Sequence, residues 1–263
     1  MNRFSKYLSY AAYVLQYRTL SKRKIRERRW SEYRRKPPEF VQTLEGFYLY
    51  LSHDKEVSFR IAITGTYTDV GDRYITPLFK KLANGSSLVV DVGANIGWFT
   101  FLAAKGAKRV VAFEPEPRNL ALLERSKQKN RCQNVEIMGR AISDNVGSVT
   151  LSVSDNPGHH SIVRKVGDAE MQVPATTLDA AFPTETIDLL KIDAEGAEAL
   201  ALRGAARLIA ERRIKAVIME WNVEVWDDIT PLEGFELFKT DGEALKRNQL
   251  PKGLCNLYLR PSS

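Results

Sequence analysis

The segment 88–97 has the residue types of a small-molecule site. Apolar residues surround an acid, Asp91, and a turn that contains Gly93, Asn95 and Gly97 follows it. Glycine accepts positive φ freely, and its missing Cβ lets a ligand approach the backbone closely. The backbone N–H groups that open the next apolar segment point at the turn if that segment is a helix. The segment therefore predicts a ligand held at the carboxyl end of a buried strand.

The glycine spacing limits the class of ligand. A dinucleotide-binding turn has the pattern G-x-G-x-x-G, whereas Gly93 and Gly97 are spaced G-x-x-x-G. A nucleotide-triphosphate loop needs Gly-Lys-Ser/Thr, which does not follow here. A second apolar run, 109–113, ends in Glu114, at the place where an acid binds ribose hydroxyls in nucleotide folds. Glu114 is thus a candidate ribose ligand, and the alternative is a surface glutamate that caps a loop.

The elements that position these residues alternate between strands and helices. Strands are predicted over 88–92, 109–113, 135–142, 187–193 and 215–220, and helices over 97–105, 117–129 and 197–211. This alternation predicts a parallel sheet with helices on both faces. Two β runs interrupt it and predict an inserted β-hairpin, 149–153 and 171–175. The flanking elements are predicted as strands over 46–51, 57–61, 234–238 and 256–259 and a helix over 74–82.

Five segments, in this order, resemble the FkbM-type methyltransferases, a family of class I S-adenosylmethionine-dependent enzymes. They are DVGANIG (91–97), VVAFEP (110–115), AISD (141–144), TTLD (176–179) and LLKIDAEGAE (189–198). The resemblance implies an α/β, Rossmann-like class I methyltransferase fold with a doubly wound, mostly parallel, seven-stranded sheet. It also implies S-adenosylmethionine as the cofactor and methyl transfer to hydroxyls of sugars or polyketide-type natural products.

The resemblance assigns the cofactor-binding residues by position. Glu114 would hold the ribose diol, and Asp144 would lie near the adenine amino group, with Ala141 and Ile142 against the ring. The methionine side of the pocket would be shaped by Asp91, Gly93, Ala94, Asn95 and Gly97.

A hydroxyl is a poor nucleophile, so a general base helps its methylation. The candidates are Asp193, Glu195, Glu198, His159, His160 and Glu220. Asp193 is the first choice because open α/β sheets bind ligands at strand carboxyl ends, and its alternative role is to organise the loop. His160 titrates near neutrality on an expected lid loop. Glu220 ends a strand and would bind an acceptor hydroxyl.

Three further interpretations accompany these catalytic candidates. Glu198 begins a predicted helix, where an acid suits the helix dipole, so a structural role is favoured for it. Trp221 either stacks on a sugar face or packs in the core. Asp193 and Glu220 do not require a shared cation, and no metal is predicted.

The positive charge of the chain is concentrated in residues 1–36. They hold twelve Lys/Arg and two acids and carry +10, whereas the whole chain carries +7, so residues 37–263 carry −3. This balance argues against a nucleic-acid groove on the body of the protein. Apolar residues and tyrosines at helical spacing precede the basic run, which predicts a basic amphipathic arm over 1–38 and a methyltransferase domain over 39–263. The arm would lie on an anionic membrane surface or pack on the domain or a partner chain.

The remaining composition favours a cytoplasmic enzyme. No apolar stretch approaches the ~18 residues of a membrane span, and the two cysteines, Cys132 and Cys255, form no disulfide framework or zinc spacing. Peripheral contact with the inner face of the membrane is an option through residues 1–36. The predicted function is O-methylation of a sugar hydroxyl in a glycolipid, lipo-oligosaccharide or polysaccharide precursor. The alternatives are a small-molecule O-methyltransferase of secondary metabolism, an NAD enzyme and a non-catalytic nucleotide-binding module.

Overall fold

The computed structural model describes residues 31, 33, 35–52, 54, 57–67, 73–154, 159–223 and 230–262. The chain divides into two compact units, Met1–Glu39 and Phe40–Ser263, and the account below concerns the second. The predicted basic arm lies almost entirely outside the described residues, so its helix and its boundary at residue 38 stay predictions.

The described elements alternate between strands and helices through the middle of the chain. The first half contains β1 (Phe40–Gln42), β2 (Tyr48–Tyr50), α1 (Val57–Thr64), α2 (Ile75–Ala83), β3 (Leu88–Val92), α3 (Trp98–Ala103), β4 (Arg109–Phe113), α4 (Pro117–Asn130), β5 (Val135–Met138) and β6 (Ala141–Ile142). The second half contains β7 (Gly147–Val153), β8 (Ala169–Thr176), α5 (Leu178–Ala181), β9 (Leu189–Ile192), α6 (Glu198–Arg203), α7 (Ala206–Ala210), β10 (Val217–Trp221), β11 (Phe235–Lys239), β12 (Ala244–Leu245) and β13 (Cys255–Pro261).

The central sheet has the strand order β12-β11-β13-β10-β9-β3-β4-β5. The five strands from β10 to β5 are parallel, and β13, β11 and β12 continue the sheet in antiparallel pairing. The predicted Rossmann-like α/β fold with a mostly parallel sheet is confirmed. Seven strands were predicted, but eight are present in the described region, because the two-residue strand β12 pairs with β11 at the edge.

The parallel strands are buried on both faces. Every residue of β3 and of β9 is buried. One face of β3 packs in a cluster with residues of α6 and α7, while α3 contacts β3 from outside that cluster. Parallel sheets need such cover on both sides because their strands are apolar throughout.

The predicted insertion is present as a separate three-stranded sheet. β7 pairs with β8 in antiparallel register, from Gly147 opposite Ala175 to Val153 opposite Ala169. β6 joins β8 in parallel, which attaches the hairpin beside the carboxyl end of the central sheet.

The segment 57–61 was predicted as a strand, and that prediction is wrong. It forms α1, whose buried residues are Ser58, Phe59 and Ile61. The carboxylate of Asp54 accepts a hydrogen bond from the Ser58 backbone N–H at 3.0 Å, which satisfies a donor at the start of the helix. The aromatic and β-branched residues suggested a strand, but burial of neighbouring positions on one helix face decides the structure.

Two longer elements are shorter than predicted. The strand expected over 135–142 is split into β5 and β6, which belong to different sheets. The helix expected over 197–211 is split at 204–205 into α6 and α7. A Cβ at Gly204 would lie 2.2 Å from the carbonyl oxygen of Ser143, so the chain approaches the loop after β6 closely at this break. Within the described ranges, the helices are too short or too polar to cross a membrane.

Candidate cofactor and active site

A cavity of about 710 Å³ opens at the carboxyl ends of the parallel strands. Its walls come from the turn after β3, the end of β4, the hairpin sheet and the ends of β9 and β10. The predicted site residues that line it are Gly93, Ala94, Asn95, Gly97, Glu114, Ala141, Ile142, His160, Asp193 and Glu220. Asp91 and Asp144 are predicted site residues that do not line it.

The turn after β3 requires glycine at two positions. Gly93 has φ +74°, and an added Cβ would lie 1.8 Å from the carbonyl oxygen of Asp193. Gly97 has φ +96°, and its Cβ would lie 2.6 Å from the side chains of Leu123 and Phe101. The loop after β9 therefore packs directly against the turn, and a side chain at Gly93 would separate them.

The turn is tied to the end of β4. The backbone N–H groups of Gly93 and Ala94 both donate to the carbonyl oxygen of Phe113 at 3.0 Å. Asn95 has φ 52°, a region that asparagine tolerates better than most residues. Its backbone N–H donates to Glu114 Oε2 at 2.8 Å. The turn and the predicted ribose ligand are thus one hydrogen-bonded unit.

Glu114 is buried, and backbone groups hold both of its carboxylate oxygens. Oε2 accepts from Asn95, and Oε1 accepts from the Glu116 N–H at 3.0 Å. Burial raises the pKa of Glu114 to about 7, although the backbone hydrogen bonds from Glu116 and Asn95 oppose this rise. Each carboxylate oxygen has a second lone pair, so the side chain can still accept hydrogen bonds from a diol.

Asp91 lies beneath the turn and is fully buried. Its Oδ2 accepts from Thr100 Oγ1 at 2.6 Å, and its Oδ1 lies 3.5 Å from Lys191 Nζ. Oδ1 has no hydrogen-bond donor among the residues that the structure describes. Asp91 therefore contacts the cavity through Lys191 rather than directly.

Lys191 joins the turn to the end of β9. Its buried ammonium donates to Asp193 Oδ2 at 3.2 Å and lies 4.9 Å from the ring centroid of Phe99. Burial lowers the pKa of Lys191, but the charges of Asp193 and Asp91 outweigh it, so the pKa lies above its usual value. Lys191 is a charged ammonium in the cavity wall. Sequence reasoning missed it, although a single charge inside the apolar run of β9 signals a buried counter-ion.

The loop after β9 is held in a strained conformation by two side chains. Glu195 has φ 52°, and Glu198 Oε1 accepts from the N–H groups of Ala194 and Gly196 at 2.8 and 3.2 Å. These contacts agree with the structural role expected for Glu198. From the hairpin side, Ser161 Oγ donates to the carbonyl oxygen of Glu195 at 2.8 Å. The insertion thus fixes the loop that carries Asp193.

Glu220, at the end of β10, faces the same group of acids. Burial and then the charges of Asp193 and Glu195 raise the pKa of Glu220. Burial and then Asp193 also raise the pKa of Glu195. Trp221, the next residue, is buried in the core and its indole N–H donates to the carbonyl oxygen of Pro251 at 2.8 Å. The interpretation that Trp221 stacks on an acceptor sugar is therefore wrong.

His160 lines the cavity, but its contacts do not favour a general base. Its Nδ1 accepts from the Ser154 backbone N–H at 3.0 Å. Its Nε2 is buried and has no hydrogen-bond partner in the described parts of the chain. Burial lowers the pKa of His160, and its nearest charged neighbours are Glu116 and Arg118 rather than the acids near Lys191. His160 belongs to the side of the cavity that contains Glu114.

Asp144 lies away from the cavity. Its Oδ1 accepts from Ser143 Oγ at 3.2 Å and from the Asn145 amide at 2.8 Å. Its Oδ2 is 3.9 Å from Arg203 Nε. These neighbours direct the carboxylate toward α6, so the structure does not bring Asp144 to the predicted adenine site, whereas Ala141 and Ile142 do line the cavity.

The geometry fits the predicted cofactor at two places. The turn at Gly93 leaves no room for a side chain against the loop of Asp193, and buried Glu114 presents acceptors for a ribose diol. In the described ranges, no group of three or more His, Cys, Asp or Glu side chains is placed to hold a metal ion.

Comparison with known proteins supplies the family. The family model of the methyltransferase FkbM domain matches residues 91–238, more than half of the chain. A curated relative, the methyltransferase sdnD of Sordaria araneosa, is 28% identical over 170 residues, which cover 51% of this chain and 66% of that protein. The matched part is therefore just under two thirds of the relative's length.

Solved structures show weaker similarity. The FkbM methyltransferase of Methylobacillus flagellatus KT aligns with a TM-score of 0.45 and 20% identity, over 67% of this chain and 44% of that one. The putative methyltransferase yhhF of Escherichia coli aligns with a TM-score of 0.47 and 11% identity, over 85% and 99%. The family assignment comes from the sequence match over residues 91–238.

Proposed function

The chain belongs to the FkbM methyltransferase family, whose cofactor is S-adenosylmethionine, and we propose that it methylates a hydroxyl group of a sugar-containing acceptor. The observation that carries this proposal is the position of Asp193 and Glu220 at the ends of adjacent strands β9 and β10, in the wall of one cavity that also contains the glycine turn. Carboxyl groups suit an acceptor that must lose a proton as it reacts.

The cofactor residues have separate tasks in this proposal. Glu114 accepts hydrogen bonds from the ribose diol, and the backbone of Gly93 and Ala94 contacts the methionine portion. Ala141 and Ile142 provide an apolar surface for the adenine ring. When bound, the cofactor supplies a methyl carbon that is activated by a sulfonium. Asp91 acts through Lys191, which holds the turn and the loop after β9 in register.

Asp193 is the proposed general base. Its Oδ2 is held by Lys191 Nζ, which leaves Oδ1 to accept the proton of the acceptor hydroxyl. Glu220, whose pKa is raised, retains its proton at neutral pH and donates a hydrogen bond to the acceptor. Two carboxyl groups with different protonation thus divide the roles of base and donor.

The far end of the cavity suits a polyhydroxylated acceptor. It combines aromatic and polar side chains, namely Tyr67, Tyr74, Lys239, Thr240, Asp241 and Asn256. Ligand sites with apolar walls and a few polar groups fix both the position and the orientation of a small molecule. A glycolipid acceptor would also use the basic residues 1–36 for peripheral contact with an anionic membrane, in a cytoplasmic protein.

The test separates cofactor binding from catalysis. Calorimetry should show binding of S-adenosylhomocysteine and not of NAD; the reverse would exclude a methyltransferase. Asp193→Asn should lower the rate of methyl transfer at least about a hundredfold, the lower limit for a lost general base, and leave S-adenosylhomocysteine affinity within about threefold. An equal loss of rate and affinity would show that Asp193 only organises the loop.

A further inference from the structure

The wall of the cavity near Lys191 carries more negative than positive groups. Carboxyl groups from three elements meet there: Asp91 on β3, Asp193 and Glu195 after β9, and Glu220 on β10. We refer to these four as the carboxyl cluster. One ammonium, that of Lys191, lies among them at 3.2 Å from Asp193 and 3.5 Å from Asp91.

The charge of Lys191 does not balance this group. Asp91 and Asp193 already occupy its ammonium, and the fully buried Oδ1 of Asp91 has no hydrogen-bond donor in the described parts of the chain. Arg164 lies 3.7 Å from Glu195 Oε2, but 41% of its side chain is exposed, and water screens such a pair. Glu220 makes no hydrogen bond within the described residues, and its charged neighbours are mostly acids.

We propose that the carboxyl cluster makes the site select its cofactor by charge, so that cationic S-adenosylmethionine binds more tightly than its neutral product, S-adenosylhomocysteine. The proposal rests on the proposed function. The two molecules share the adenosine and methionine groups and differ in the sulfonium methyl group. Because the sulfur connects the ribose to the methionine portion, ribose at Glu114 and methionine at Gly93 bring the sulfur to the wall that contains Asp193.

The selection regulates product release. Transfer of the methyl group removes the positive charge of the cofactor, and the attraction to the carboxyl cluster disappears with it. The product then leaves from a site whose acids again repel one another. This arrangement limits inhibition by accumulated product without any conformational change.

The selection depends on pH through Glu220 and Glu195. Both are partly protonated in the free protein, since burial and neighbouring acids raise their pKa values, and a bound sulfonium favours their ionised forms. The charged groups that border Glu220 or line the same cavity are Lys191 and Asp193 on β9 and the following loop, Glu195, Glu198 on α6, Lys239 and Asp241 near β11, Glu114, Arg60, Arg140, His159 and His160. Glu114 affects both ligands equally, so the ratio of the two dissociation constants isolates the carboxyl cluster.

The test measures binding and needs no acceptor. Dissociation constants of S-adenosylmethionine, S-adenosylhomocysteine and sinefungin, which has an ammonium in place of the methylsulfonium, are measured by calorimetry at several pH values. At about pH 8.5 both cationic ligands should bind about tenfold more tightly than S-adenosylhomocysteine, and this preference should shrink as pH falls to about 6. A preference of one or less at every pH would overturn the proposal.

Two further measurements make the test specific. Glu220→Gln should reduce the preference about tenfold, whereas Glu124→Gln, which removes an exposed acid of α4, should leave it unchanged. An unchanged preference in Glu220→Gln would overturn the proposal. If Glu220→Gln does not fold, calorimetry of the natural protein in two buffers decides. Binding of S-adenosylmethionine should then release more protons than binding of S-adenosylhomocysteine, and equal release would overturn the proposal. If no ligand binds at all, it is the proposed function that fails.

Discussion

At the scale of single residues, the site depends on a backbone position that only glycine can occupy. Gly93→Ala should abolish measurable binding of S-adenosylhomocysteine, because the added Cβ would lie 1.8 Å from the Asp193 carbonyl oxygen and force the turn and the loop apart. Calorimetry measures the binding, and thermal unfolding measures the stability. Gly85→Ala is the matched control, since Gly85 has φ +83° but nothing within 4 Å of its Cβ position. It should cost only the ~1–2 kcal/mol of a left-handed residue and leave binding intact. Equal effects of the two variants would refute the close approach.

Glu114 should make cofactor affinity depend on pH. Its pKa of about 7 means that the carboxyl group is protonated below pH 7 and loses acceptors for the ribose diol. The affinity for S-adenosylhomocysteine should therefore rise between about pH 6 and about pH 8. Glu114→Gln should remove most of this rise and weaken binding about tenfold or more, the loss expected for hydrogen bonds to a charged group. Glu170→Gln, an exposed acid on β8, serves as control. A pH profile in Glu114→Gln identical to that of the natural protein would contradict this role.

At the scale of elements, a buried hydrogen bond connects α3 to β3. Thr100→Val should lower the free energy of unfolding by about 1–3 kcal/mol, because it leaves Asp91 Oδ2 without its donor. Urea denaturation measures this loss. Thr150→Val on the exposed face of the hairpin should change stability by less than about 0.5 kcal/mol. If Thr100→Val is as stable as the control, Asp91 is held by Lys191 alone.

The inserted hairpin should also affect cofactor binding. Ser161→Ala removes the donor to the Glu195 carbonyl oxygen and should weaken binding of S-adenosylhomocysteine about threefold to tenfold, the equivalent of one lost hydrogen bond. Ser148→Ala changes an exposed hairpin serine that also bonds to a backbone carbonyl and should have no effect on the calorimetric affinity. Equal affinities in both variants would mean that the insertion does not fix the loop.

The elements also show where sequence patterns are sufficient. The parallel strands were predictable because their residues are apolar throughout, and the glycine turn was predictable because it follows one of them. The nature of α1 was not, since its short apolar run is compatible with either period. Lys191 was missed because its counter-ion Asp91 is distant in sequence and becomes a neighbour only when β3 pairs with β9.

At the scale of the whole molecule, the separation of charge is a sequence property that the described residues do not explain. Deletion of residues 1–36 removes a net charge of +10. This variant should lose binding to vesicles that contain phosphatidylglycerol, since each basic residue near an anionic surface contributes about 1 kcal/mol. Its affinity for S-adenosylhomocysteine should stay within about twofold. Vesicle sedimentation measures the first effect, and undiminished sedimentation would exclude the arm as the membrane contact.

The fold and cofactor class were predictable from sequence, whereas the acceptor was not. The cofactor is contacted by contiguous motifs, and their spacing is visible in the chain. The acceptor end of the cavity is assembled from distant residues such as Tyr67, Lys239 and Asn256, which share no pattern. Asp144 illustrates the limit: its place after a strand suggested an adenine contact, but Arg203 lies on its other side.

The central claim is methyl transfer to a sugar hydroxyl, and one measurement tests it most directly. The protein is incubated with S-adenosylmethionine tritiated in the methyl group and a glycolipid extract of the source organism, and the labelled lipid is hydrolysed for sugar analysis. The account predicts that the label is recovered in an O-methyl sugar and that Asp193→Asn abolishes the transfer. Label recovered only in a compound without sugar, from a protein that binds S-adenosylhomocysteine normally, would contradict it.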